Sequence, residues 1–370
     1  MALLWKLRNY EGNTMELLQF YAAEVYETTL RLQAQDQFLQ HLRVPVRLVA
    51  CDCGVGYGPS SASLVPKQPA LTADAEKLAS KIRSCGYLSQ TRPPDESLYK
   101  NNSLFSIFPA AEIIYNNKKL LVSHPGTTVG SFVISESLSI HDSFKLIETF
   151  IHYAKQNSFD GIKLTVPPIF YHNHASNYID YSLLKHGFEY AKREVTSTLF
   201  LESDEENILK KFRPSHARSV RKAKNIGVEI RITNQIEEFY YILKENLKIR
   251  HGVNPTHTLQ EIYKLIDLFP ESINVFGAFY EGQMIAGALN FIVKEDVVLA
   301  FYISHKEEFQ ELRPLNLLFY SIFKWAIKEK IKVYDFGIFT VDGEPNMGLG
   351  RFKENFGASG IFRDTFQILF

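Results

Sequence analysis

An ordered block of elements occurs twice in this chain, and that recurrence limits what it can fold into. In the first copy LFSIFPAAEIIY (104–115) reads as a strand, Asn116-Asn117 as turn chemistry, KLLVSH (119–124) as a second strand and SFVIS (131–135) as a third. A helix is expected over 142–157, with Asp142 as N-cap and Phe144, Ile147, Ile151 and Ala154 at three- and four-residue spacing, before a strand in IKLTVPP (162–168). In the second copy INVFGAFY (273–280), MIAGALNFIV (284–293) and VVLAFYIS (297–304) form a meander. A helix from Pro314 to Lys330 then buries Leu315, Leu318, Ile322, Trp325 and Ala326, and KVYDFGIF (332–339) is the closing strand. The two copies lie about 170 residues apart, which argues for a duplicated α/β unit. The expected domains are 1–195 and 196–370.

Composition agrees with two packed cores. Of 370 residues 45% are hydrophobic, enough for about two ordinary domains. The 28 Phe and 19 Tyr, with 41 basic against 41 acidic side chains, exclude a disordered tail protein and a globally basic nucleic-acid binder, so DNA is not an expected partner. No apolar run reaches the roughly 18 residues of a membrane span. MALLWKLRNY at the start is too short and too charged for the core of a signal peptide. Three cysteines, Cys51, Cys53 and Cys85, do not make a disulfide framework and suit a reducing cytoplasm.

The first hundred residues differ from the rest. They hold all three cysteines and a single isoleucine, Ile82, whereas the chain from Asn101 onward is dense in Ile, Lys, Asn and Phe. Residues 30–100 are therefore expected to be atypical: poorly packed, divergent, or the product of a gene-level accident such as a frameshift. RLVACDCGVGYG (47–58) is a strand followed by a Gly-x-Gly-x-Gly run, but Pro59 and a Ser-rich stretch stand where a helix must begin for a nucleotide loop. In HNHASNY (172–178), His172 and His174 lack a Cys or carboxylate cluster, and no metal is expected there.

Several stretches carry chemistry. The run YDFGIFTVDGEPNMGLGRFKENFG (334–357) places Asp335 in a strand and leads through a Gly-rich connection to Arg351, Lys353, Phe356 and Gly357. Residues 210–224 hold Lys210, Lys211, Arg213, Arg218, Arg221, Lys222 and Lys224 with no acid. On a helix starting near Pro214, Arg218, Arg221 and Lys222 share a face that either grips phosphates or is simply solvated. His124 ends a strand, where it contacts the acceptor substrate, serves as a base or holds its own loop.

SHPGTTVGSFVI (123–134), LLKHGFEYAKREVTSTLFL (183–201), KFRPSHARSVRKAKNIGVEI (211–230) and the C-terminal run resemble the FemAB-like acyltransferases. These are built from tandem GNAT-type domains. The GNAT-like or BioF2-like acyltransferases of bacterial surface-polysaccharide clusters are similar too. The resemblance covers about residues 104–370. It implies an α/β (α+β) fold of two tandem GNAT-like domains, each a mixed sheet flanked by helices.

The implied activity is transfer of an acyl group to an amine, with donor and acceptor meeting between the domains. The acceptor would be a small-molecule or lipid-linked sugar or cell-envelope precursor. No permanent cofactor is implied, only an acyl donor: acyl-CoA, acyl carrier protein or aminoacyl-tRNA. The last makes a FemAB-type aminoacyl-tRNA-dependent transferase the alternative, beside a non-catalytic binding protein of the same fold.

Lys353, matching the family's FKxxFG lysine, is the expected charge for the tetrahedral oxyanion. Asp335, or water held by it, is the expected proton acceptor. Both also have plain structural readings, as a solvated helix lysine and a hydrogen-bonded strand-end carboxylate. Phe356 and Gly357 are expected to serve packing and backbone conformation. His124, Arg218, Arg221, Arg313, Asn316, Asn346 and Arg351 are the expected substrate contacts. Ordinary GNAT enzymes hold the CoA pyrophosphate at a Gly-rich turn opening a helix. QELRPLNLL (310–318) has Arg313 and Asn316 in that place but no glycine, and helix capping is the plainer role for both.

Overall fold

The recurring block becomes two compact α/β units. The computed structural model describes residues 46–50, 99–100, 103–104, 106–125, 127–134, 138–201, 207–341 and 343–370. The N-terminal unit holds the described residues up to Ala191 together with Asp364–Phe370, and the C-terminal unit holds Lys192–Arg363. Most of the atypical stretch 30–100 lies outside the described residues, as do Cys51, Cys53, Cys85 and the glycine run of 47–58.

In the N-terminal unit, β1 (Val46–Ala50) pairs antiparallel with β2 (Ser106–Tyr115), and β2 pairs antiparallel with β3 (Lys118–Ser123) across the Asn116-Asn117 turn. Both turn residues have positive φ, 51° and 58°, as a tight hairpin turn demands. A third segment, Val133–Ile134, pairs back onto β2. Helix α1 (Ile140–Gln156) then leads to β4 (Gly161–Thr165), which is parallel to β3. The cap of α1 is Ser139, whose hydroxyl accepts from the Asp142 amide, so the helix starts earlier than the Asp142 expected from sequence. The Ser139 hydroxyl also donates to the Asp142 carboxylate, so both residues belong to the helix start. Helix α2 (Tyr178–Lys185) follows. The core joins Phe108, Phe132 and Phe150, with ring centroids 4.3–5.0 Å apart, to Leu121, Leu146, Ile147 and Ile162.

The C-terminal unit is built on β5 (Glu189–Phe200, from Lys192 on), β6 (Glu229–Ile232), β7 (Ile273–Tyr280), β8 (Gln283–Lys294), β9 (Val297–His305) and β10 (Val333–Ile338). Their order is β5-β10-β9-β8-β7-β6, antiparallel except for the parallel β9–β10 pair. Helices α3 (Pro214–Ile226) and α6 (Pro314–Lys328) pack on one face through Val220, Ala223, Phe319 and Phe323 against Ala278, Ala288, Val298 and Tyr334. Helices α4 (Ile236–His251) and α5 (Leu259–Leu268) cover the other through Phe239, Ile242 and Ile262 against Val275 and Leu289. Helix α7 (Met347–Glu354) leads into the last strand, β11 (Ser359–Leu369), whose final residues pair with β4 within the N-terminal unit. Sequence periodicity had identified neither α4, α5 nor β11.

Candidate active site

The parallel pair β9–β10 is short. It runs through Val297↔Val333, Val298↔Tyr334 and Leu299↔Asp335, and no further pairing between the two strands follows. β9 continues to His305 along β8, while β10 falls out of register with β5 between Asp335 and Ile338. Gly337, with φ 74°, makes that irregularity possible. The strands thus part at Asp335, leaving facing backbone groups that no longer bond each other.

Side chains alternate across β10. Tyr334 and Phe336 enter the core beneath α3 and α6, so Asp335 points to the other face, and it is 2% exposed. Its Oδ1 accepts from the Thr196 hydroxyl and, at 2.8 Å, from the Gly337 amide. The carboxylate therefore ties β5 to β10 and fixes the irregular Gly337 peptide.

Lys353 reaches the same place from α7. Its ammonium donates to the carbonyl oxygens of Gly337 and Ile338, both at 2.7 Å, and the residue is 2% exposed. Phe356 anchors the end of this helix in an aromatic cluster with Phe336, Phe319 and Phe212. Gly357 then turns with φ 91°, where an added Cβ would lie 2.7 Å from the Lys211 carbonyl oxygen, so glycine is required. Burial lowers the Lys353 pKa to about 8; the Asp335 charge opposes this and the Arg363 charge adds to it. A solvated helix lysine is therefore not what the structure contains.

Arg363 and Glu194 extend this floor. They form an ion pair at 3.2 Å with both side chains largely buried, and Lys192 lies 2.9 Å from the other Glu194 oxygen. Glu194, Thr196 and Thr198 alternate along β5 and share one face. The sequence reading missed Thr196, Glu194 and Arg363. The polar i, i+2, i+4 row in REVTSTLFL was the available signal for the first two.

Both α3 and α6 open with Arg-Pro, have proline in the first turn and lack a side-chain cap. Arg313 adopts the left-handed conformation, φ 59°, and accepts the Asn316 amide through its carbonyl. Capping by the Arg313 or Asn316 side chain, the plainer reading, is not what is observed. The buried Asn316 Nδ2 has no hydrogen-bond partner among the described residues. His216, on α3, has its pKa lowered by burial and then by the charges of Arg313 and Arg213, which therefore act on one region.

The remaining expected residues are placed as follows. Arg218 and Arg221 are exposed on α3, as is Lys222, which lies 3.8 Å from Glu311. Asn346 caps α7, accepting from the Leu349 amide at 3.0 Å, and Arg351 is exposed on α7. His124 lies in the N-terminal unit at the end of β3, with φ 42°. Its Nδ1 is 2.9 Å from the Ser123 hydroxyl, its carbonyl accepts from Thr127, and burial lowers its pKa to about 4. Among the described residues no group of three or more His, Cys, Asp or Glu could hold a metal, and no helix is long and apolar enough to cross a membrane.

A mixed sheet with helices on both faces and a parallel pair that splits beside a buried lysine is a fold of the GNAT class. Residues 210–354 match the model of the acetyltransferase (GNAT) domain family. In fold the chain is FemAB-like: it is similar to the crystal structure of FemX, with a TM-score of 0.58 and 14% identity over 74% of this chain and 87% of that one. The C-terminal domain of a putative lysylphosphatidylglycerol synthetase from Agrobacterium fabrum is also similar, with a TM-score of 0.48 and 10% identity over 71% of this chain and 81% of that one. No curated protein matches the chain in sequence.

Proposed function

We propose that the chain is an N-acyltransferase that moves an acyl group onto an amine of a sugar or cell-envelope precursor, acting in the cytoplasm. The observation that carries this reading is the parting of β9 and β10 at Asp335 with the Lys353 ammonium held at the opening. A cation in a water-poor place lowers the energy of the oxyanion by roughly 3–4 kcal/mol. Arg313, 3.5 Å from Glu311, and the unpartnered Asn316 Nδ2 mark the start of α6 as the end that meets a phosphate-bearing donor. The test is mass spectrometry of amine acceptors incubated with the purified protein and acyl-CoA, acyl carrier protein or aminoacyl-tRNA. Acylated amine supports the reading, and its absence with all three donors refutes it.

A second reading, an aminoacyl-tRNA donor, is favoured by the exposed Arg218 and Arg221, for which no ion pair is found among the described residues. It requires tRNA binding that weakens steeply with salt. Arg218→Gln with Arg221→Gln should lower the slope of log K against log salt by about two. An unchanged slope removes this donor.

A further inference from the structure

We propose that Lys353 is the general base of the transfer as well as its cation: its neutral amine takes the proton of the attacking acceptor. The inference rests on the acyltransferase reading and changes which atom moves the proton. The family resemblance gives that proton to Asp335, or to water held by it; the hydrogen bonds give it to Lys353.

The argument starts from the tetrahedral nitrogen. Two of its positions are N–H bonds to the Gly337 and Ile338 carbonyl oxygens, and no third hydrogen-bond partner is found among the described residues. An ammonium fills the third position with an N–H that the protein leaves unanswered in a buried place. A neutral amine fills it with a lone pair and keeps both carbonyl bonds. Deprotonation therefore costs no internal hydrogen bond, and the one position that changes is the one that neither carbonyl occupies. One oxygen of Asp335, Oδ1, already accepts from Thr196 and Gly337.

The charges around Lys353 come from four elements, its own helix included. Asp335 on β10 favours the ammonium, and Arg363 on β11 disfavours it. On β5, Glu194 is paired with both Arg363 and Lys192. On α7 itself, Glu354 lies 3.8 Å from Arg213 and Arg351 is exposed. Burial decides the balance and leaves the lysine titrating at about 8. Both protonation states are thus populated near neutral pH, as a proton shuttle needs.

The step balances without a further reactant. The neutral acceptor amine attacks the acyl carbon, a C–N bond forms, and the carbonyl π pair becomes the oxyanion. Lys353 Nζ removes a proton from the now cationic nitrogen and becomes the ammonium that faces the oxyanion. Collapse breaks the bond to the leaving thiolate or alkoxide, which takes the proton, and Lys353 returns to the amine.

Two measurements test this. In Lys353→Arg the positive charge persists but cannot titrate. Loss of kcat by about a hundredfold or more, with circular dichroism and urea midpoint unchanged, is expected. Retained kcat shows that charge alone suffices and overturns the proposal while leaving acyl transfer intact. Independently of any reaction, the Nζ resonance of wild-type Lys353, assigned by its loss in Lys353→Met, should titrate close to pH 8 in the free protein. A midpoint above 10 overturns the proposal even if the enzyme is active.

Discussion

Replacing Lys353 by methionine should change how stability depends on pH, and the size of that change follows from the site. The folded-state pKa is about 8 against an ordinary 10.5, a displacement worth about 3 kcal/mol. The sign is set by which state binds more protons. Below pH 8 lysine is protonated in both states, and the folded protein carries the whole cost of a buried ammonium. Between pH 8 and 10.5 the unfolded chain keeps the proton that the folded one has released, so unfolding becomes harder as pH rises. Above 10.5 the cost is gone.

Methionine fills similar volume and does not titrate, so the stability difference between wild type and Lys353→Met isolates this term from every other lysine and tyrosine. It should be flat below about pH 7 and then move in favour of wild type by about 3 kcal/mol up to pH 10.5. At neutral pH the variant gains from the missing ammonium and loses two hydrogen bonds to Gly337 and Ile338, each about 1–2 kcal/mol, so the two proteins should lie close together there. Urea unfolding at several pH values is the assay. Trp325, packed on Phe276 within the C-terminal unit, is the reporter in a Trp5→Phe background. A difference that stays constant from pH 7 to 10.5, or that moves against wild type, refutes the account of Lys353 as a buried, destabilised cation.

Two further changes probe the frame that holds the site. Tyr334→Phe removes the hydroxyl that donates to Asn290 Oδ1 at 2.7 Å and leaves that acceptor buried, so urea unfolding should show a loss of about 1–3 kcal/mol. Gly357→Ala puts a side chain on a residue at φ 91°, costing about 1–2 kcal/mol from conformation alone. The approach to the Lys211 carbonyl adds to that cost, so the thermal midpoint should fall with acyl transfer lost in parallel; an unchanged midpoint contradicts the required conformation.

What could be read from the chain follows from how locally each feature is encoded. The meander of 273–305 and helix α6 are legible because alternation and a three-to-four spacing persist over many residues, and Arg-Pro at 213–214 and 313–314 marks two helix starts. Strand β11 escaped because SGIFRDTFQIL lacks clean alternation, and its neighbours β4 and β5 lie more than a hundred residues away in sequence. In the site, Lys353 stood out by motif, yet its acceptors are backbone oxygens at a bulge, which no residue type announces. Thr196 and Arg363 meet Asp335 and Glu194 across separations of 139 and 169 residues, so only the folded register reveals them. Asn316 looked like a capping residue because of its position, but its side-chain amide is left without a partner instead.

The most direct test of the central claim is the rate at which wild type and Lys353→Met convert an amine acceptor to its acyl product, followed by mass on the same donor. Wild type should add one acyl mass per amine, and the methionine variant, folded and equally stable at neutral pH, should do so at least about a hundredfold more slowly. Equal rates from the two proteins would remove Lys353 from the chemistry and contradict the account.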